Sequence, residues 1–404
     1  MKVKWLLVDL NSFFASCEQQ DDPSLRGKPI AVVPMMAENT SVLAASYEAK
    51  RCGIKTGTKV FEARKMCPDI KFVSTGHKKY VQYHHRIIEA VHKICPVERV
   101  LSIDEMVCSL MGREQELENA LEIGRKVKKI ILDEVGCCLT SSVGLGPNIT
   151  VAKIASDLQK PDGLVAIPQE QLVEKIGHLD INIISGVGPN MKYRLNQKGF
   201  YTVNDLLRVS ESQLQNAWGS IVGLRLAKEI RGEDFQRAAN KSNAFSHEHV
   251  LPPNLRTRDG AYQIIQKLVF KGCSRLRDVK RKAQGVSLSI RFMDRSRFEK
   301  SIQFQQTDDS FFMTKEIEKL YKSVSHQKPV KVGIVLFGLT ESGVEQFSFF
   351  DNQKSNKLNQ VMDLINDKHG ANSIVSGAHL DVVGEAKARI SFTHIPGLKR
   401  DSDY

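Results

Sequence analysis

The sequence lacks the features that mark membrane, secreted and zinc-binding proteins. No apolar stretch approaches the ~20 residues that a bilayer-spanning helix needs, and no signal-peptide core follows the N-terminus. The 8 cysteines include no Cys-x-x-Cys pair, which argues against both a zinc site and a disulfide framework. These absences predict a reduced, cytoplasmic chain with no membrane partner.

The sequence also has fewer acidic than basic residues. The 404 residues include 58 Lys and Arg but only 46 Asp and Glu, which gives a formal net charge of +12. A surplus of this sign suits a polyanionic partner such as nucleic acid. The length is sufficient for several domains that each bury a core of their own.

Two adjacent acids, Asp104 and Glu105, separate the apolar-rich runs Val97–Ile103 and Met106–Leu110. Both runs carry β-branched residues and flank a short polar break. We therefore predict an antiparallel strand pair with the acids at its turn, at a sheet edge that faces solvent.

A third acid, Asp9, ends the first apolar run, and Asn11 and Ser12 follow it as predicted caps of a helix over about 12–20. If the three acids converge, their repulsion raises the proton affinity of at least one unless a divalent cation neutralises them. Oxygen ligands without His or Cys favour Mg²⁺ or Mn²⁺, and pairs of such ions catalyse phosphoryl and nucleotidyl transfer. On spacing alone, three unrelated turn acids remain the alternative.

Several segments occur in the order that is typical of one enzyme family. They are Val8–Glu18, Tyr47–Lys50, Ser102–Glu105 and Ala152–Asp157, followed by the turn Lys160–Gly163 and by Gly186–Gly188. Over roughly residues 3–350 the chain therefore resembles the Y-family DNA polymerases, in the bacterial group of DNA polymerase IV and the SOS mutagenesis polymerase. Within this group, the chain resembles the catalytic subunit of the SOS mutagenesis polymerase more than the DNA polymerase IV type at Asn11, Ser16–Glu18 and Lys50.

The resemblance implies an α+β fold with several domains. A strand, helix, hairpin, helix and strand pattern agrees with a ferredoxin-like palm. The expected domains are the palm at 1–166 with fingers inserted at about 28–75, a small helical helix-hairpin-helix thumb at 167–237, a linker at 238–244, a separate α+β little finger at 245–350, and a C-terminal tail at 351–404. The tail is expected to be partly disordered, with one helix near Lys357–Asp367.

The resemblance also implies which residues bind metal. Asp9, Asp104 and the backbone carbonyl of Leu10 are expected to hold a nucleotide-bound Mg²⁺, and Glu105 is expected to complete a second Mg²⁺ site, with Mn²⁺ as the alternative ion. Asn11 stands where many members of the family have a second Asp, but that position is not a metal ligand in the family.

Nucleotide binding is expected from two aromatic residues and three polar ones. By resemblance, Phe14 lies under the sugar and excludes a 2′-hydroxyl; Phe13 is its neighbour in the same helix. The triphosphate is expected to contact Tyr47, Lys50 and Lys160. Lys50 replaces the Arg of a common family pattern and lacks its bidentate fork.

Spacing alone supports two simpler interpretations of these polar residues. Tyr47 and Lys50 lie one helical turn apart and could share an ordinary solvated face of a helix. Lys153 lies off the apolar stripe of its helix, and we interpret it as a solvated surface lysine.

Two further regions are expected to bind DNA without reading its sequence. Gly186, Val187 and Gly188 form the turn of the helix-hairpin-helix, where glycines let backbone N–H groups approach a phosphate. A basic stretch of the little finger is expected to follow the phosphate backbone. Its residues are Lys271, Arg275, Arg277, Lys280, Arg281, Lys282 and Arg291.

A short aromatic segment follows the last predicted strand. It consists of Gln346, Phe347, Ser348, Phe349 and Phe350. A glutamine with clustered aromatic residues resembles the peptide that binds the bacterial sliding clamp, and a strand or core fragment is the alternative.

Together these features predict a template-directed DNA polymerase. It would extend primer-template DNA with deoxynucleoside triphosphates by two-metal nucleotidyl transfer, with low fidelity and past damaged template. No exonuclease signature is present, so proofreading is not expected. The alternatives are a non-catalytic DNA-binding scaffold of the same fold that depends on a partner, and a metal-dependent nuclease; a nuclease would leave Phe14, Tyr47 and Lys160 unexplained.

Overall fold

The chain folds into two compact units. The structure, a computed structural model, describes residues 1–234, 243–324, 327–341, 353–370 and 372–386. The first unit lies within residues 1–234 and the second within 243–386. Within these ranges, no helix has the length and apolar character needed to cross a bilayer. The predicted clamp-binding segment, 346–350, lies outside the described residues, as does most of the predicted linker.

The elements of the first unit follow the predicted order closely. They are β1 (Trp5–Leu10), α1 (Phe13–Asp21), β2 (Ile30–Val33), β3 (Ala44–Ala45), α2 (Tyr47–Arg51), α3 (Val60–Met66), β4 (Lys71–Ser74), α4 (His77–His92), β5 (Val97–Val100), β6 (Glu105–Ser109), α5 (Leu117–Ile130), β7 (Ser141–Gly146), α6 (Ile149–Leu158), β8 (Leu164–Ala166), α7 (Leu172–Ile176), α8 (Pro189–Asn196), α9 (Val203–Arg208), α10 (Glu211–Trp218) and α11 (Ile221–Ile230).

A five-stranded sheet with the order β5-β6-β1-β7-β8 forms the predicted palm. β1 is central, and all six of its residues are buried. β6 pairs antiparallel with both β5 and β1, in a register that places Asp9 opposite Glu105. The predicted antiparallel pair is therefore confirmed, but the prediction of a sheet edge is wrong, because Glu105 opens an internal strand.

Helix α6 packs closely against one face of this sheet. Alternate residues of a strand point to the same face, so Leu7 and Asp9 share the face that α6 covers. Gly144 of β7 permits the close approach, since a Cβ there would lie 2.0 Å from the backbone oxygen of Ala152. A polar side chain on the sheet-facing side of α6 is therefore able to reach the end of β1.

The N-terminus of α1 is not capped in the predicted way. Ser12 adopts a left-handed conformation with φ 50° and ψ 41°, and its side chain caps no backbone N–H. Its buried hydroxyl oxygen has no hydrogen-bond partner. The side chain of Asn11 instead points to β7, where Ser142 donates to it. The prediction that these two residues cap α1 is therefore wrong.

The predicted fingers have a small core of their own. β2 pairs antiparallel with β3 and parallel with β4, and α2 and α3 pack on this sheet. Ala31, Ala49, Ile54, Ala63 and Ile70 are among the buried residues of this core. The apolar cluster of the helices after residue 166 is separate from it and includes α8 to α11.

The second unit is a five-stranded antiparallel sheet covered by helices. In chain order it contains β9 (Ala244–Val250), α12 (Arg258–Asp278), β10 (Arg281–Phe292), β11 (Arg297–Thr307), α13 (Ser310–Lys322), β12 (Pro329–Phe337), β13 (Thr340–Glu341) and α14 (Gln353–His369). The sheet order is β11-β10-β12-β9, and β13 pairs with the start of β10 outside this order. Val286, Leu288 and Ile290 alternate toward the buried core that α12 and α13 cover. The intervening residues of β10 form an open face of the sheet.

The described part of the predicted tail packs on the second unit. Asp363 of α14 binds Arg277 of α12, and the Asn359 amide donates to Asp309 Oδ1 at 2.9 Å. Lys267, which is buried, donates to the backbone oxygen of Glu385 at 2.6 Å. The expected helix near 357–367 is present within α14, and the expectation of disorder does not apply to these packed residues.

Candidate active site

Two of the three predicted carboxylates lie opposite each other at the end of β1. Asp9 is 5% exposed and lies opposite Glu105 across the β1–β6 pair. Asp104 precedes β6, and its backbone oxygen accepts the N–H of Leu10 at 2.9 Å. The hydroxyl of Ser102 donates to Asp104 Oδ1 at 2.6 Å. Backbone pairing therefore fixes all three acids in one small region.

Burial makes two of the acids, Asp104 and Glu105, harder to ionise. It raises the pKa of Asp104, and the nearby charge of Asp9 raises it further. Burial also raises the pKa of Glu105, although the ammonium of Lys153 opposes the shift. Acids held in this way gain from a cation that keeps them ionised.

Lys153 supplies such a cation, and sequence reasoning missed it. Its Nζ lies 2.5 Å from Asp9 Oδ2, 2.8 Å from Glu105 Oε1 and 3.3 Å from Asp157 Oδ1. Burial alone would lower the pKa of Lys153, but the three carboxylates outweigh it and raise that pKa. The interpretation of Lys153 as a solvated lysine is wrong. The segment Ala152–Asp157 carried the signal, because both Lys153 and Asp157 belong to it.

A second lysine reaches the same acids. Lys160 Nζ lies 2.6 Å from Asp9 Oδ2 and 2.8 Å from Asp157 Oδ1. Burial of Lys50 lowers its pKa, and the nearby charge of Lys160 lowers that pKa further. The structure thus brings Lys160 and Lys50 into one electrostatic field. Crowded ammonium groups of this kind favour an anion between them.

Tyr47 and Lys50 share one face of α2. Lys50 Nζ lies 4.3 Å from the centroid of the Tyr47 ring, as a cation–π contact. Burial raises the pKa of Tyr47 to about 12, and the charges of Asp9 and Asp157 contribute. Tyr47 therefore remains a neutral hydrogen-bond donor at physiological pH, close to the carboxylate cluster.

The donor set fits a hard divalent cation in its chemistry. Asp9 and Glu105 offer carboxylate oxygens, and the ammonium of Lys153 contacts both, so one positive charge is able to bridge them. Oxygen ligands of this type suit Mg²⁺ or Mn²⁺. Among the described residues, no three acidic, His or Cys side chains are grouped as ligands of one metal ion.

The two predicted aromatic contacts differ in their surroundings. Phe13 is 3% exposed and belongs to the core. Phe14 is half-buried and stacks on Tyr80, with centroids 4.3 Å apart. The hydroxyl of Tyr80 donates to Glu18 Oε1 at 2.7 Å.

The predicted helix-hairpin-helix turn leads into α8. Gly186 has φ +95°, a left-handed conformation that favours glycine, and no atom lies within 4 Å of a Cβ built there. Gly188 is the N-cap of α8, and Val187 is 6% exposed. The element before the turn is a single 3-10 turn, Ile181–Ile183, rather than a full helix.

One basic residue that was predicted to bind DNA is structural. The guanidinium of Arg277 contacts both oxygens of Asp363, at 2.5 and 3.1 Å, and donates to the backbone oxygen of Asp308 at 2.6 Å. Only 12% of its side chain is exposed. The prediction for Arg277 is therefore wrong, because sequence composition does not show which cations have a buried partner.

The other basic residues of the second unit differ in their access to a ligand. Arg275 lies over the Phe245 ring at 4.2 Å, and Lys271 donates to the backbone oxygen of Ala386 at 3.3 Å. Lys280 is exposed, whereas Arg281 and Lys282 are half-buried at the start of β10.

The open face of the sheet carries a row of cations at one end. Arg291 is exposed and pairs with Arg297 of β11 on one side and with Lys331 of β12 on the other. Residues that pair across antiparallel strands point to the same face. Three basic side chains of neighbouring strands therefore line up on this face.

Comparisons with known proteins agree with this architecture. The model of the impB/mucB/samB family matches residues 8–157, the model of its C-terminal domain matches 242–349, and a model described as the thumb domain of DNA polymerase-iota matches 184–234. DNA polymerase IV of Pelotomaculum thermopropionicum is 32% identical over 96% of this chain and 98% of the relative. DNA polymerase IV of Moorella thermoacetica is 30% identical over 94% of this chain and 96% of the relative.

Solved structures give the same result. The Y-family DNA polymerase chimera Dbh-Dpo4(243-245)-Dbh has a TM-score of 0.72 at 25% identity and covers 84% of this chain and 100% of the chimera. The insertion ternary complex of Dbh DNA polymerase has a TM-score of 0.60 at 26% identity, with the same coverage of 84% and 100%. The chain belongs to the Y-family of DNA polymerases, the impB/mucB/samB family. Its similarity to the SOS mutagenesis branch stays a prediction.

Proposed function

We propose that this protein extends a primer on template DNA with deoxynucleoside triphosphates and copies past damaged template with low fidelity. The observation that carries the proposal is the cluster at the end of β1, where Asp9 and Glu105 meet Lys153 and Lys160 beside Tyr47. Carboxylates next to lysines and a phenol suit a ligand that is both metal-bound and polyanionic. A nucleoside triphosphate is such a ligand.

The acids would hold the metal. Asp9, Asp104 and the carbonyl of Leu10 would bind one Mg²⁺ and Glu105 would complete a second site, with Mn²⁺ as the alternative ion. When bound, two such ions lower the pKa of an attacking hydroxyl and stabilise charge on the transferred phosphorus. The register of β1 with β6 keeps Asp9 and Glu105 opposite each other, so neither carboxylate needs to move far to share an ion.

The cations and the phenol would hold the triphosphate. Lys50 and Lys160 would donate charge-assisted hydrogen bonds to phosphate oxygens, and Tyr47 would contact the triphosphate beside them. These groups would stabilise the negative charge of the departing pyrophosphate. Phe14, supported from behind by Tyr80, would lie against the deoxyribose and exclude a 2′-hydroxyl.

Further surfaces would bind DNA and a partner. The turn at Gly186, Val187 and Gly188 and the open face of the second unit would contact phosphates and hold the duplex without reading its sequence. The segment 346–350 would bind a sliding clamp in the cytoplasm, where we expect the protein to act. Deletion of 346–350 should abolish stimulation by a clamp and leave basal extension intact.

Primer extension by the full chain with Mg²⁺ and all four deoxynucleotides tests the proposal. We expect extension by the wild type and none by an Asp104→Ala/Glu105→Ala variant. A Lys126→Met variant, which changes an exposed residue of α5, should extend as the wild type does. Degradation of the primer without added nucleotides would support a nuclease instead. DNA binding without extension, even with a sliding clamp present, would support a scaffold.

A further inference from the structure

A buried amide lies next to the carboxylate cluster, and none of the roles proposed above uses it. Asn11 is 2% exposed and follows β1 on the same face as Asp9. Its Nδ2 donates to the side-chain hydroxyl of Thr140 at 3.3 Å, and its backbone N–H donates to the backbone oxygen of Thr140 at 2.9 Å. The amide is therefore held in one orientation, with Oδ1 directed away from Thr140.

The Oδ1 atom of Asn11 accepts hydrogen bonds from two sides. The hydroxyl of Ser142, a residue with no exposed surface, donates at 3.0 Å, and the hydroxyl of Tyr47 donates at 3.4 Å. Ser142 in turn accepts the backbone N–H of Gly163 at 3.4 Å. A chain of hydrogen bonds thus runs from Gly163 through Ser142 and Asn11 to Tyr47.

The two ends of this series of hydrogen bonds, Gly163 and Tyr47, belong to the two segments that carry Lys160 and Lys50. Tyr47 and Lys50 lie on α2, and Gly163 ends the turn that begins with Lys160. These segments are more than 100 residues apart in the sequence, and β1 and β7 lie between them. We propose that Asn11 and Ser142 are positioning residues that set the spacing between α2 and the 160–163 turn. The inference rests on the proposed function, in which both segments bind one triphosphate.

Asparagine suits this position better than aspartate does. The amide donates to Thr140 while it accepts from Ser142 and Tyr47, and a carboxylate would lose the donor. A carboxylate would also add a buried negative charge on the face that carries Asp9, close to the incoming phosphates. An Asn11→Asp variant should therefore weaken triphosphate binding, although it retains both acceptor contacts.

Binding of inorganic triphosphate, measured by calorimetry in the presence of Mg²⁺, tests the inference without requiring catalysis. We expect Asn11→Ala, Asn11→Asp and Ser142→Ala each to raise the Kd by about fivefold or more, as loss of a positioning contact worth about 1 kcal/mol implies. Ser141→Ala is the matched control, because Ser141 is buried in the same strand and its hydroxyl has no partner. It should bind as the wild type does.

Single-nucleotide incorporation supplies the second readout. In the folded variants KM for the deoxynucleotide should rise by a similar factor, with kcat within about twofold, which indicates lost ground-state positioning. The increase caused by Asn11→Ala should shrink when Tyr47→Phe is already present, because the two changes break the same contact.

The outcomes separate this inference from the proposed function. Unchanged Kd and KM in Ser142→Ala and Asn11→Asp would overturn the positioning role even if Asn11→Ala failed to fold. Loss of kcat at constant KM would overturn it as well. A wild type that binds triphosphate but does not extend primers would contradict the proposed function, whereas weaker triphosphate binding by the variants would still support the role of Asn11.

Discussion

The rings of Phe14 and Tyr80 stack with their centroids 4.3 Å apart and their planes inclined by 17°. Tyr80 is fully buried, and Glu18, which accepts its hydroxyl, is 5% exposed and also binds Lys79 at 2.8 Å. An aromatic side chain that is packed against a fixed ring keeps its position when a ligand presses on it. Phe14 is thus a rigid surface at the start of α1.

Replacement of Phe14 by alanine should admit ribonucleotides. If Phe14 excludes the 2′-hydroxyl by a steric clash of about 3 kcal/mol, the ratio of kcat/KM for ribonucleotides to that for deoxynucleotides should rise by about 100-fold. Single-nucleotide incorporation with matched ribo- and deoxynucleotides measures this ratio. Unchanged sugar discrimination in an active Phe14→Ala variant would remove Phe14 from this role.

A Tyr80→Phe variant should distinguish the role of the Phe14–Tyr80 stack from that of the hydrogen bond between Tyr80 and Glu18. Tyr80→Phe keeps the ring under Phe14 but leaves Glu18 Oε1 without its 2.7 Å donor, so sugar discrimination should be retained. Stability should fall by about 1–3 kcal/mol, the usual cost of an unsatisfied buried acceptor. Denaturant unfolding measures the loss. If Tyr80→Phe became as permissive to ribonucleotides as Phe14→Ala, the hydrogen bond rather than the stack would position the gate.

Lys153 should compete with a divalent cation for the acids. In Lys153→Met, Asp9 and Glu105 lose a buried partner at 2.5 and 2.8 Å, and breaking such a pair costs about 3–5 kcal/mol. Added Mg²⁺ should recover part of this loss, so it should raise Tm more in the variant than in the wild type. Lys126→Met is the control for the loss of one lysine. Equal Mg²⁺-induced shifts in all three proteins would contradict this competition.

Arg277 and Arg291 should show opposite phenotypes although both belong to the predicted basic region. Arg277→Ala leaves Asp363 unpaired at a site where only 16% of its side chain is exposed, so stability should fall by about 3–5 kcal/mol. Arg291→Ala, on the open face, should leave stability unchanged and reduce the slope of log K against log salt for DNA binding by about 0.9. Salt titrations and unfolding curves of both variants distinguish a structural arginine from a phosphate contact.

The contrast between these residues shows what the sequence was able to predict. Asp104 and Glu105 separate two apolar-rich runs with β-branched residues, so the strand pair around Asp104 was predictable from the local sequence. Lys153 and Arg277 lie on helix surfaces by periodicity, and only tertiary packing brings Asp9 or Asp363 to them. Without an account of which helix face meets which strand end, a buried cation is indistinguishable from a solvated one.

The sites that depend on one close approach were the hardest to predict. Gly144 allows α6 to touch the sheet, and this contact delivers Lys153 to Asp9. The packing of α14 on α12 depends on partners more than 80 residues apart, such as Arg277 and Asp363. Sequence composition suggested a disordered tail because its polar residues have no visible partner in the local sequence.

His379 should make the packed tail sensitive to acid. It is 3% exposed, packs on Phe270 at 5.0 Å, and burial, helped by the charge of Lys267, lowers its pKa from 6.5 to about 4. The folded protein therefore excludes a proton that the unfolded chain accepts below pH 6.5. The contribution of His379 to the free energy of unfolding is constant above that pH and decreases as the pH falls toward 4.

Between pH 7 and pH 5 this difference in pKa corresponds to a loss of about 2 kcal/mol. His379→Gln should lose less stability over this interval than the wild type does, because glutamine does not titrate. His369→Gln, which changes an exposed residue at the end of α14, should behave as the wild type does. Denaturant unfolding at both pH values, followed through a probe in the second unit, measures the difference. Equal losses in the wild type and His379→Gln would show that other groups cause the acid sensitivity of this unit.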